Sequence, residues 1–396
     1  MPFAAYLEFL RQRQATSRLR TLRSMTPLPD GRVRVGDREL INFSTNDYLG
    51  LASHPELIQR SQAWTARWGA GARASRLVCG NLEIFAEVES KLAAGKGSQA
   101  ALVFNSGYQA NTAILAALLD PQILGTHPLV FADRLNHASM HHGCRAAGVR
   151  QIRYRHGDLN HLEDLLIRHR DKPGPRFILT ETVFSMDGDQ IHVGDLVTLK
   201  ERHGAFLYLD EAHATGLLGP NGFGLSAAFP GQVDLAMGTF SKGLGSFGAY
   251  AACSRELVEF LLNYCGGLIY ATALPPGILG AMDAALDLLP GLEPLRYKVL
   301  AHAARLREAM QAAGLDTGLS STQIVPVVTG TDTAALSLSQ QLEAAGMLAV
   351  AIRPPTVPNG ASRIRFSLSA AHRDSDLAIL CAMAPEMART LRGGST

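Results

Sequence analysis

The 396-residue chain is long enough for one large domain with a smaller companion, or for two or three domains, each with a substantial core. A formal net charge of +2, with no basic run interleaved with aromatic residues, disfavours nucleic acid as a partner. The five cysteines lack a C-x-x-C pair, and the cluster "HASMHHGC" at 137–144 has no second ligand cluster at zinc spacing. We therefore expect reduced thiols and no metal site.

The first 45 residues predict a helical arm followed by short strands. The arginine-rich helix contains Glu8 and lacks the apolar core of a signal peptide. The longest apolar stretch, at 266–282, is interrupted by Pro275 and Pro276, so it predicts no membrane-spanning helix. We expect a cytoplasmic protein that does not bind a membrane.

Two further segments follow the arm. Short apolar runs alternate with amphipathic helical patterns up to the double proline, which is typical of β-α-β units and a mostly parallel sheet. The strand and helix patterns beyond it predict a compact α+β domain. The predicted division is therefore an arm at 1–45, a large α/β domain at 46–286 and a small C-terminal α+β domain at 287–396.

Polar side chains stand at the carboxyl ends of the predicted strands of the large domain. They are Asn105, Asp133, Glu181, Asp210 and Lys242. Ligands of open α/β sheets bind at the carboxyl ends of the strands, so these five side chains are predicted to lie at one edge of the sheet.

The stretch "GTFSKGLGSFGAY", at 238–250, places Lys242 among glycines. Gly243, Gly245 and Gly248 match the dinucleotide fingerprint G-x-G-x-x-G, which would indicate a nicotinamide-dependent Rossmann oxidoreductase but needs a helix directly after it. The following "AYAACS" instead predicts a strand. In the other interpretation the glycines leave clearance for a cofactor ring and a substrate, and Lys242 forms an imine.

The stretch "LYLDEAHATG" predicts a buried strand that ends at Asp210. A carboxylate there is costly unless it meets a cation, which could belong to a structural ion pair. Alternatively, the cation is the protonated ring nitrogen of pyridoxal 5'-phosphate (PLP), which Asp210 would keep protonated. His213 would then reach the ring 3'-oxygen, and Lys242 would carry the cofactor.

A PLP phosphate would need hydrogen-bond donors. The turn from strand to helix in "NSGYQAN" directs the backbone amides near Gly107 and Tyr108 at an anion, and Thr239 adds a hydroxyl. His137 lies beyond a strand end where it could stack on the ring, although an ordinary histidine is the alternative. Ser185 is a turn residue or, if its loop folds over the site, a cofactor contact.

Six ordered motifs, spread over about residues 10–385, resemble the α-oxoamine synthases. They are "NFSTNDYLGL", "DRLNHAS", "TETVFSMDGD", "DEAHATGLLG", "GTFSKGLGSFGAY" and "IRPPTVPNGASRIRFSLSAAH". The resemblance implies fold type I of the PLP-dependent enzymes, like aspartate aminotransferase, with a mostly parallel sheet in a large domain and a smaller C-terminal domain. It also implies a decarboxylating condensation of an amino acid with an acyl thioester.

The resemblance implies a role for each matching residue of the cofactor site. Lys242 is similar to the family's Schiff-base lysine, Asp210 to the partner of the ring nitrogen, and His137 to the stacking imidazole. His213 and Ser185 match groups near the 3'-oxygen. The matching phosphate contacts are Gly107, Tyr108 and Thr239, with Thr272 supplied by the neighbouring subunit of a homodimer.

The resemblance also implies substrate contacts. Arg363 matches the arginine that binds the amino-acid carboxylate, with Asn46 beside it, whereas Arg20 and Thr356 match positions along the acyl path. The stretch "AIRPPTVPNG" is most similar to members that join L-alanine to a pimeloyl thioester, on coenzyme A or a carrier protein, in biotin biosynthesis.

The acyl donor stays open at this point. The loop "WGAGARASRLVCGN" has Arg73 and Arg76 where smaller residues are expected, and relatives with other substrates also carry arginine there. The alternatives within the family are a 2-amino-3-ketobutyrate ligase, which uses glycine and acetyl-CoA, a 5-aminolevulinate synthase, which uses glycine and succinyl-CoA, and a serine palmitoyltransferase.

Overall fold

The computed structural model describes residues 2–393, which form two compact units. The large unit contains 47–185 and 190–296, and the small unit contains the remaining described residues, including the short segment 186–189. Residues 1 and 394–396, at the ends of the predicted segments 1–45 and 287–396, lie outside the described residues. The domain limits given above stay a prediction.

The described residues form fifteen α-helices. They are α1 (Pro2–Ala15), α2 (Pro55–Trp68), α3 (Ile84–Lys96), α4 (Gly107–Leu118), α5 (Pro121–Leu124), α6 (Ala138–Ala146), α7 (Leu159–Arg168), α8 (Val193–His203), α9 (Arg255–Tyr264), α10 (Gly266–Ile269), α11 (Pro276–Leu288), α12 (Glu293–Ala312), α13 (Asp332–Ala344), α14 (Asp374–Ala382) and α15 (Ala384–Gly393). Among residues 2–393, no helix has both the length and the apolar character needed to cross a membrane.

The strands form three sheets. They are β1 (Thr26–Leu28), β2 (Arg32–Val35), β3 (Arg38–Asn42), β4 (Ala100–Phe104), β5 (Leu129–Asp133), β6 (Gln151–Tyr154), β7 (Arg176–Glu181), β8 (Ala205–Asp210), β9 (Leu235–Thr239), β10 (Ala249–Cys253), β11 (Ile324–Gly330), β12 (Met347–Leu348), β13 (Ala351–Ile352) and β14 (Ser362–Ser367).

The large unit is built on a seven-stranded sheet in the order β4-β10-β9-β8-β7-β5-β6. The pairs from β9 to β6 are parallel, and β10 is antiparallel to both of its neighbours, so it alone runs against the other strands. The central strands β8 and β9 are buried along almost their whole length, as expected for parallel strands covered on both faces. The predicted mostly parallel sheet is present.

The predicted edge of the sheet also forms. Strand β8 ends at Asp210 and β7 at Glu181, and these two residues are direct neighbours in the parallel register. Strand β5 ends at Asp133, Asn105 follows β4, and Lys242 lies three positions beyond β9. Because their strands run the same way, these polar residues follow carboxyl ends at one edge, as the sequence predicts.

The small unit contains two sheets. One has the order β1-β2-β3-β12, in which β12 joins β3 in parallel, and the other has the order β11-β14-β13 with antiparallel pairs. Strand β14 is buried at every position, and it carries Arg363 and Arg365 two residues apart, on the same face of the strand. The strand therefore places two guanidinium groups side by side.

Candidate functional site

A cavity of about 260 Å³ lies at the carboxyl edge of the large sheet. Its walls include seven of the predicted site residues: Gly107, Tyr108, His137, Asp210, His213, Thr239 and Lys242. A larger cavity of about 380 Å³ lies among residues at the other edge, such as Phe206 and Cys253, and none of the predicted site residues lines it. We assign the chemistry to the smaller cavity because the reactive side chains meet there.

Lys242 and His213 are in contact within this cavity. The Nζ atom of Lys242 lies 2.9 Å from Nε2 of His213, and the hydroxyl of Tyr48 lies 2.6 Å from Nδ1 of the same ring. Tyr48 is wholly buried, and its contact with Nδ1 fixes the orientation of the His213 ring. The motif "NFSTNDYLGL" contains Tyr48, but sequence reasoning gave it no role, since its partner is 165 positions away.

The glycines around Lys242 pack against the protein itself. A Cβ on Gly243 would lie 2.7 Å from the carbonyl oxygen of Thr215, and one on Gly216 would lie 3.0 Å from the Gly243 backbone. Gly245 has φ +62°, and a Cβ there would lie 2.4 Å from the Leu51 carbonyl carbon. These glycines allow the Lys242 loop to pack directly on main chain, and the clearance that they would give a ring and a substrate stays a prediction.

The dinucleotide interpretation lacks its structural context. Gly248 is followed directly by strand β10, which pairs antiparallel with β9, whereas the fingerprint requires a helix that begins at the glycines. The segment is therefore a connection between two antiparallel strands, and the match to G-x-G-x-x-G gives no support for a nicotinamide-dependent oxidoreductase.

Asp210 is a buried carboxylate that receives neutral donors. Its Oδ2 accepts a hydrogen bond of 2.7 Å from the Asn111 side-chain amide, and its Oδ1 accepts one of 2.9 Å from the backbone N–H of Ala212. Asp210 is only 4% exposed, and it forms no salt bridge with any residue that the structure describes. The structural ion pair considered from the sequence is absent at this residue, so its charge is available to a bound cation.

Glu181 is a second carboxyl group in the cavity wall. It is buried beside Asp210, and its Oε1 has no hydrogen-bond partner among residues 2–393. Burial, with the negative charge of Asp210 as the next cause, raises the pKa of Glu181 well above its usual value. Both effects favour the protonated form of Glu181.

His137 caps helix α6 and faces the same cavity. Its Nδ1 lies 2.7 Å from the Ser139 hydroxyl, and its ring meets the Tyr108 ring edge-on, with the centroids 6.4 Å apart. Burial lowers the pKa of His137, and the nearby Lys242 also lowers it, against the opposing effect of Asp210. The net effect favours the neutral imidazole.

The expected phosphate side is built from the N-terminus of α4. The Ser106 side chain caps this helix by accepting from the Gln109 N–H at 3.3 Å, and Gly107 and Tyr108 begin the first turn. The Thr239 hydroxyl lies 2.7 Å from the carbonyl oxygen of Gly248 and 2.7 Å from the Ser241 hydroxyl. Ser241 lines the cavity as well, and sequence reasoning did not single it out.

Other predicted residues of the large unit lie outside the cavity wall. Ser185 is half-buried and Thr272 is exposed, and neither lines the cavity of its own chain. The Thr272 carbonyl accepts a hydrogen bond of 2.8 Å from the Asn105 side chain. Asp133 accepts from the Gly157 N–H at 2.9 Å, so its carboxylate stabilises a turn.

The predicted substrate residues belong to the small unit. Arg363 forms an ion pair with Asp187 and donates to the Ala361 carbonyl at 3.0 Å. Arg20 donates to the Thr356 hydroxyl at 3.1 Å, so the two residues predicted along the acyl path do meet.

Asn46 has a neighbour that the sequence analysis did not select. Its Oδ1 accepts hydrogen bonds from Arg365 at 3.2 and 3.3 Å, and its predicted place beside Arg363 stays a prediction. Arg365 lies two positions along β14, and sequence reasoning did not select it.

Comparison with known proteins places the chain in a family. The model of the family described as aminotransferase class I and II matches residues 38–383. The 8-amino-7-oxononanoate synthase of Gluconacetobacter diazotrophicus is 58% identical over 87% of this chain and 86% of its own.

Two solved structures are similar as a whole. A serine palmitoyltransferase variant from S. paucimobilis, with bound PLP-myriocin aldimine, has a TM-score of 0.90 and 26% identity and covers 99% of this chain and 98% of its own. The 8-amino-7-oxononanoate synthase from Francisella tularensis has a TM-score of 0.76 and 25% identity, and the match covers 90% of this chain and 99% of its own. These likenesses confirm the predicted fold class. The chain therefore belongs to the aminotransferase class I and II family and, within it, to the family of the 8-amino-7-oxononanoate synthases.

Proposed function

We propose that the chain is a PLP-dependent acyltransferase that condenses L-alanine with a pimeloyl thioester and releases carbon dioxide, the free thiol and 8-amino-7-oxononanoate. One observation carries the proposal: a buried carboxylate without an ion pair, Asp210, lines the same cavity as Lys242 and His213. The relatives and the solved structure that bear the synthase's name support this choice of substrates.

The residues fit PLP on chemical grounds. The Asp210 side chain accepts from neutral donors, so its negative charge could pair with the protonated ring nitrogen of the cofactor. The first turn of α4 offers backbone N–H groups for the phosphate. When bound, PLP supplies an electron sink that stabilises negative charge on the α-carbon of the amino acid.

The chain's own groups would handle binding and proton transfer. The Nζ atom of Lys242 would hold the cofactor and, once the amino acid has displaced it, accept the α-proton of the amino acid. His137 would bind a substrate carboxylate or thioester oxygen. Arg363 would bind the amino-acid carboxylate, which its guanidinium matches in charge and geometry.

Arg76 gives no reason to prefer another acyl donor. It forms an ion pair with Glu89, donates to the Asn81 side chain at 2.9 Å and lies 4.1 Å above the Phe85 ring. Arg73 donates to the Trp68 carbonyl at 3.2 Å. Both arginines therefore have local structural partners.

A homodimer with shared active sites stays part of the proposal. Thr272 is exposed and does not line its own chain's cavity, which supports a contact with the phosphate of a neighbouring subunit. The cytoplasmic location stays a prediction.

The test is a substrate matrix. Purified protein with PLP would be offered alanine, glycine or serine, each with pimeloyl-, acetyl-, succinyl- or palmitoyl-CoA, and thiol release would be measured. We expect the fastest release from alanine with pimeloyl-CoA, and pimeloyl carrier protein would be compared as the donor. Faster release from another pair would contradict the assignment.

A matched pair of lysine variants tests the residue that carries the cofactor. Lys242→Ala should abolish thiol release and the near-visible absorbance that borohydride bleaches. Lys200→Ala, whose lysine pairs with Asp234 away from the cavity, should keep both. A Lys242→Ala protein with the unchanged absorbance would contradict the assignment of this lysine.

A further inference from the structure

Asn111 lies at the centre of a buried hydrogen-bond network in the wall of the cavity. The residue is on α4 and 1% exposed. Its Nδ2 lies 2.7 Å from Oδ2 of Asp210 and 2.9 Å from the Ser139 hydroxyl oxygen, and its Oδ1 accepts from the Tyr208 hydroxyl at 2.7 Å. With the contact between Ser139 and His137, these side chains form what we call the Asn111 network: Tyr208, Asn111, Asp210, Ser139 and His137.

The orientation of the Asn111 amide follows from its neighbours. If the amide were turned over, its oxygen would face the Asp210 carboxylate, and two acceptors would be in contact. The Tyr208 hydroxyl, in contrast, can donate to the amide oxygen. The Asn111 amide nitrogen therefore donates to both Asp210 and Ser139.

The direction of the next hydrogen bond follows. The Ser139 oxygen accepts from Asn111 and lies 2.7 Å from His137 Nδ1, and since a serine oxygen can accept twice, the direction of this bond is fixed by the backbone N–H of Ser139, which can only donate. The Ser139 backbone N–H also donates to Nδ1, at 3.4 Å. Since Nδ1 accepts, the proton of the neutral imidazole must be on Nε2.

We propose that Asn111 and Ser139 are positioning residues that fix His137 as the Nε2–H tautomer, so that it acts on the substrate as a hydrogen-bond donor and leaves proton abstraction to Lys242. The inference rests on the proposed function and deepens it, because it decides which of two groups in one cavity is the base. A donor suits a carboxylate or a thioester carbonyl oxygen, whose negative charge increases when the carbonyl is attacked.

The network also couples His137 to Asp210. The Asn111 amide donates directly to Asp210 and also to the Ser139 hydroxyl, which contacts His137, so a change at Asn111 affects the histidine and the carboxylate together. A change at Ser139 affects only the histidine branch. Variants at the two positions therefore distinguish an effect on the tautomer of His137 from an effect on the surroundings of Asp210.

The tautomer is measured directly by NMR. Protein labelled with ¹⁵N-histidine and loaded with PLP would be examined by long-range ¹H–¹⁵N correlation, with His137→Gln identifying the His137 signals. We expect the pattern of a neutral ring protonated at Nε2. Ser139→Ala and Asn111→Ala should each give a mixture of tautomers, and Ser139→Thr, which keeps the hydroxyl, should restore the wild-type pattern.

Thr112, which lies next to Asn111 on α4, offers a matched control. The Thr112 hydroxyl donates to the Ser139 carbonyl at 3.4 Å and contacts none of the side chains of the Asn111 network, so Thr112→Val should leave the tautomer unchanged. Wild-type protein protonated at Nδ1 or at both nitrogens would overturn the proposal. Wild-type tautomer in both Ser139→Ala and Asn111→Ala would also overturn it.

Kinetics provide the second readout. Ser139→Ala should lower kcat by about 10- to 100-fold, the order expected for weakening one preorganised donor, with little change in the near-visible absorbance of bound PLP. Asn111→Ala should change both kcat and the near-visible absorbance of bound PLP. The tautomer is read without any substrate, so a wrong acyl donor would leave the NMR result intact, whereas a wrong tautomer would leave the substrate assignment intact.

Discussion

Two consecutive carboxylates, Asp210 at the end of strand β8 and Glu211 directly after it, lie in different surroundings. Glu211 is wholly buried, forms an ion pair with Lys96 and accepts from the Ser226 N–H at 2.8 Å and the Ser226 hydroxyl at 2.5 Å. Asp210 lines the cavity, and its side chain accepts from neutral donors of the described residues Asn111 and Ala212. Glu211 therefore has an ion-pair partner in contact with it, and Asp210 has none among the described residues.

The difference shows which carboxylate is structural and which is functional. A buried charge costs several kcal/mol of desolvation, which a nearby opposite charge and full hydrogen bonding offset. Glu211 has that compensation inside the fold. Asp210 lies at the same end of the same strand and lacks it, so the fold carries an electrostatic cost that a bound cation would relieve.

The largest expected effect comes from breaking the balanced pair. Lys96→Met should lower the free energy of unfolding by about 3–5 kcal/mol, because it leaves Glu211 buried and charged without its cation. The double variant Lys96→Met with Glu211→Gln should recover most of that loss. Denaturant titration of the three proteins measures both values, and equal destabilisation of the single and double variants would contradict this account of Glu211.

Neutralising the unbalanced carboxylate should give the opposite pattern. Asp210→Asn is expected to lower kcat/KM for thiol release by about 100- to 1,000-fold, because the cofactor's ring loses its charged partner. The free energy of unfolding without PLP should stay the same or rise, since a buried charge is removed. Full activity in this variant, or a large loss of stability without cofactor, would show that Asp210 is structural.

Glu181→Gln should have the smallest effect and sharpens the contrast between the carboxyl groups. If Glu181 is already protonated, the amide is a close replacement, and kcat/KM should change by less than about tenfold. Asp210→Asn, on the neighbouring strand, is the matched comparison.

The pH dependence of stability tests the state of Glu181. Its pKa is raised in the folded protein, so the folded state keeps a proton that the unfolded chain releases above a pH of about 4.5. Glu181 therefore contributes its full stabilisation below that pH and loses it as the pH rises. The free energy of unfolding of Glu181→Gln, relative to wild type, should increase between about pH 5 and about pH 8 in cofactor-free protein. A constant difference would contradict a raised pKa.

The sequence predicts the parts of the site that follow from strand direction. Asp210 and Lys242 follow apolar strands, and parallel strands bring their carboxyl ends to one edge, so their meeting is predictable. The sequence does not predict which of Asp210 and Glu211 has an ion-pair partner, because Lys96 lies 115 positions from Glu211. The choice depends on tertiary contacts that no local pattern encodes.

Asn111 had a signal that sequence reasoning did not use. It is an amide in the otherwise mostly apolar helix "YQANTAILAALL", and a buried amide needs partners for its donors and its acceptor. That requirement predicts a buried polar neighbour without identifying it. The role of Ser139 depends on the direction of hydrogen bonds, which appears only once the strands and helices are placed.

The contact between Gly216 and Gly243 limits how this enzyme could be re-engineered. The turn that carries His213 and the loop that carries Lys242 meet main chain to main chain, with no layer of side chains between them. Any side chain at Gly216 or Gly243 would place a Cβ within 3.0 Å of main-chain atoms, so a substitution at this contact would push the two segments apart and disturb the lysine and the histidine together. Variants with altered substrate choice should instead arise in the other walls of the cavity, where side chains can be exchanged while this spacing stays constant.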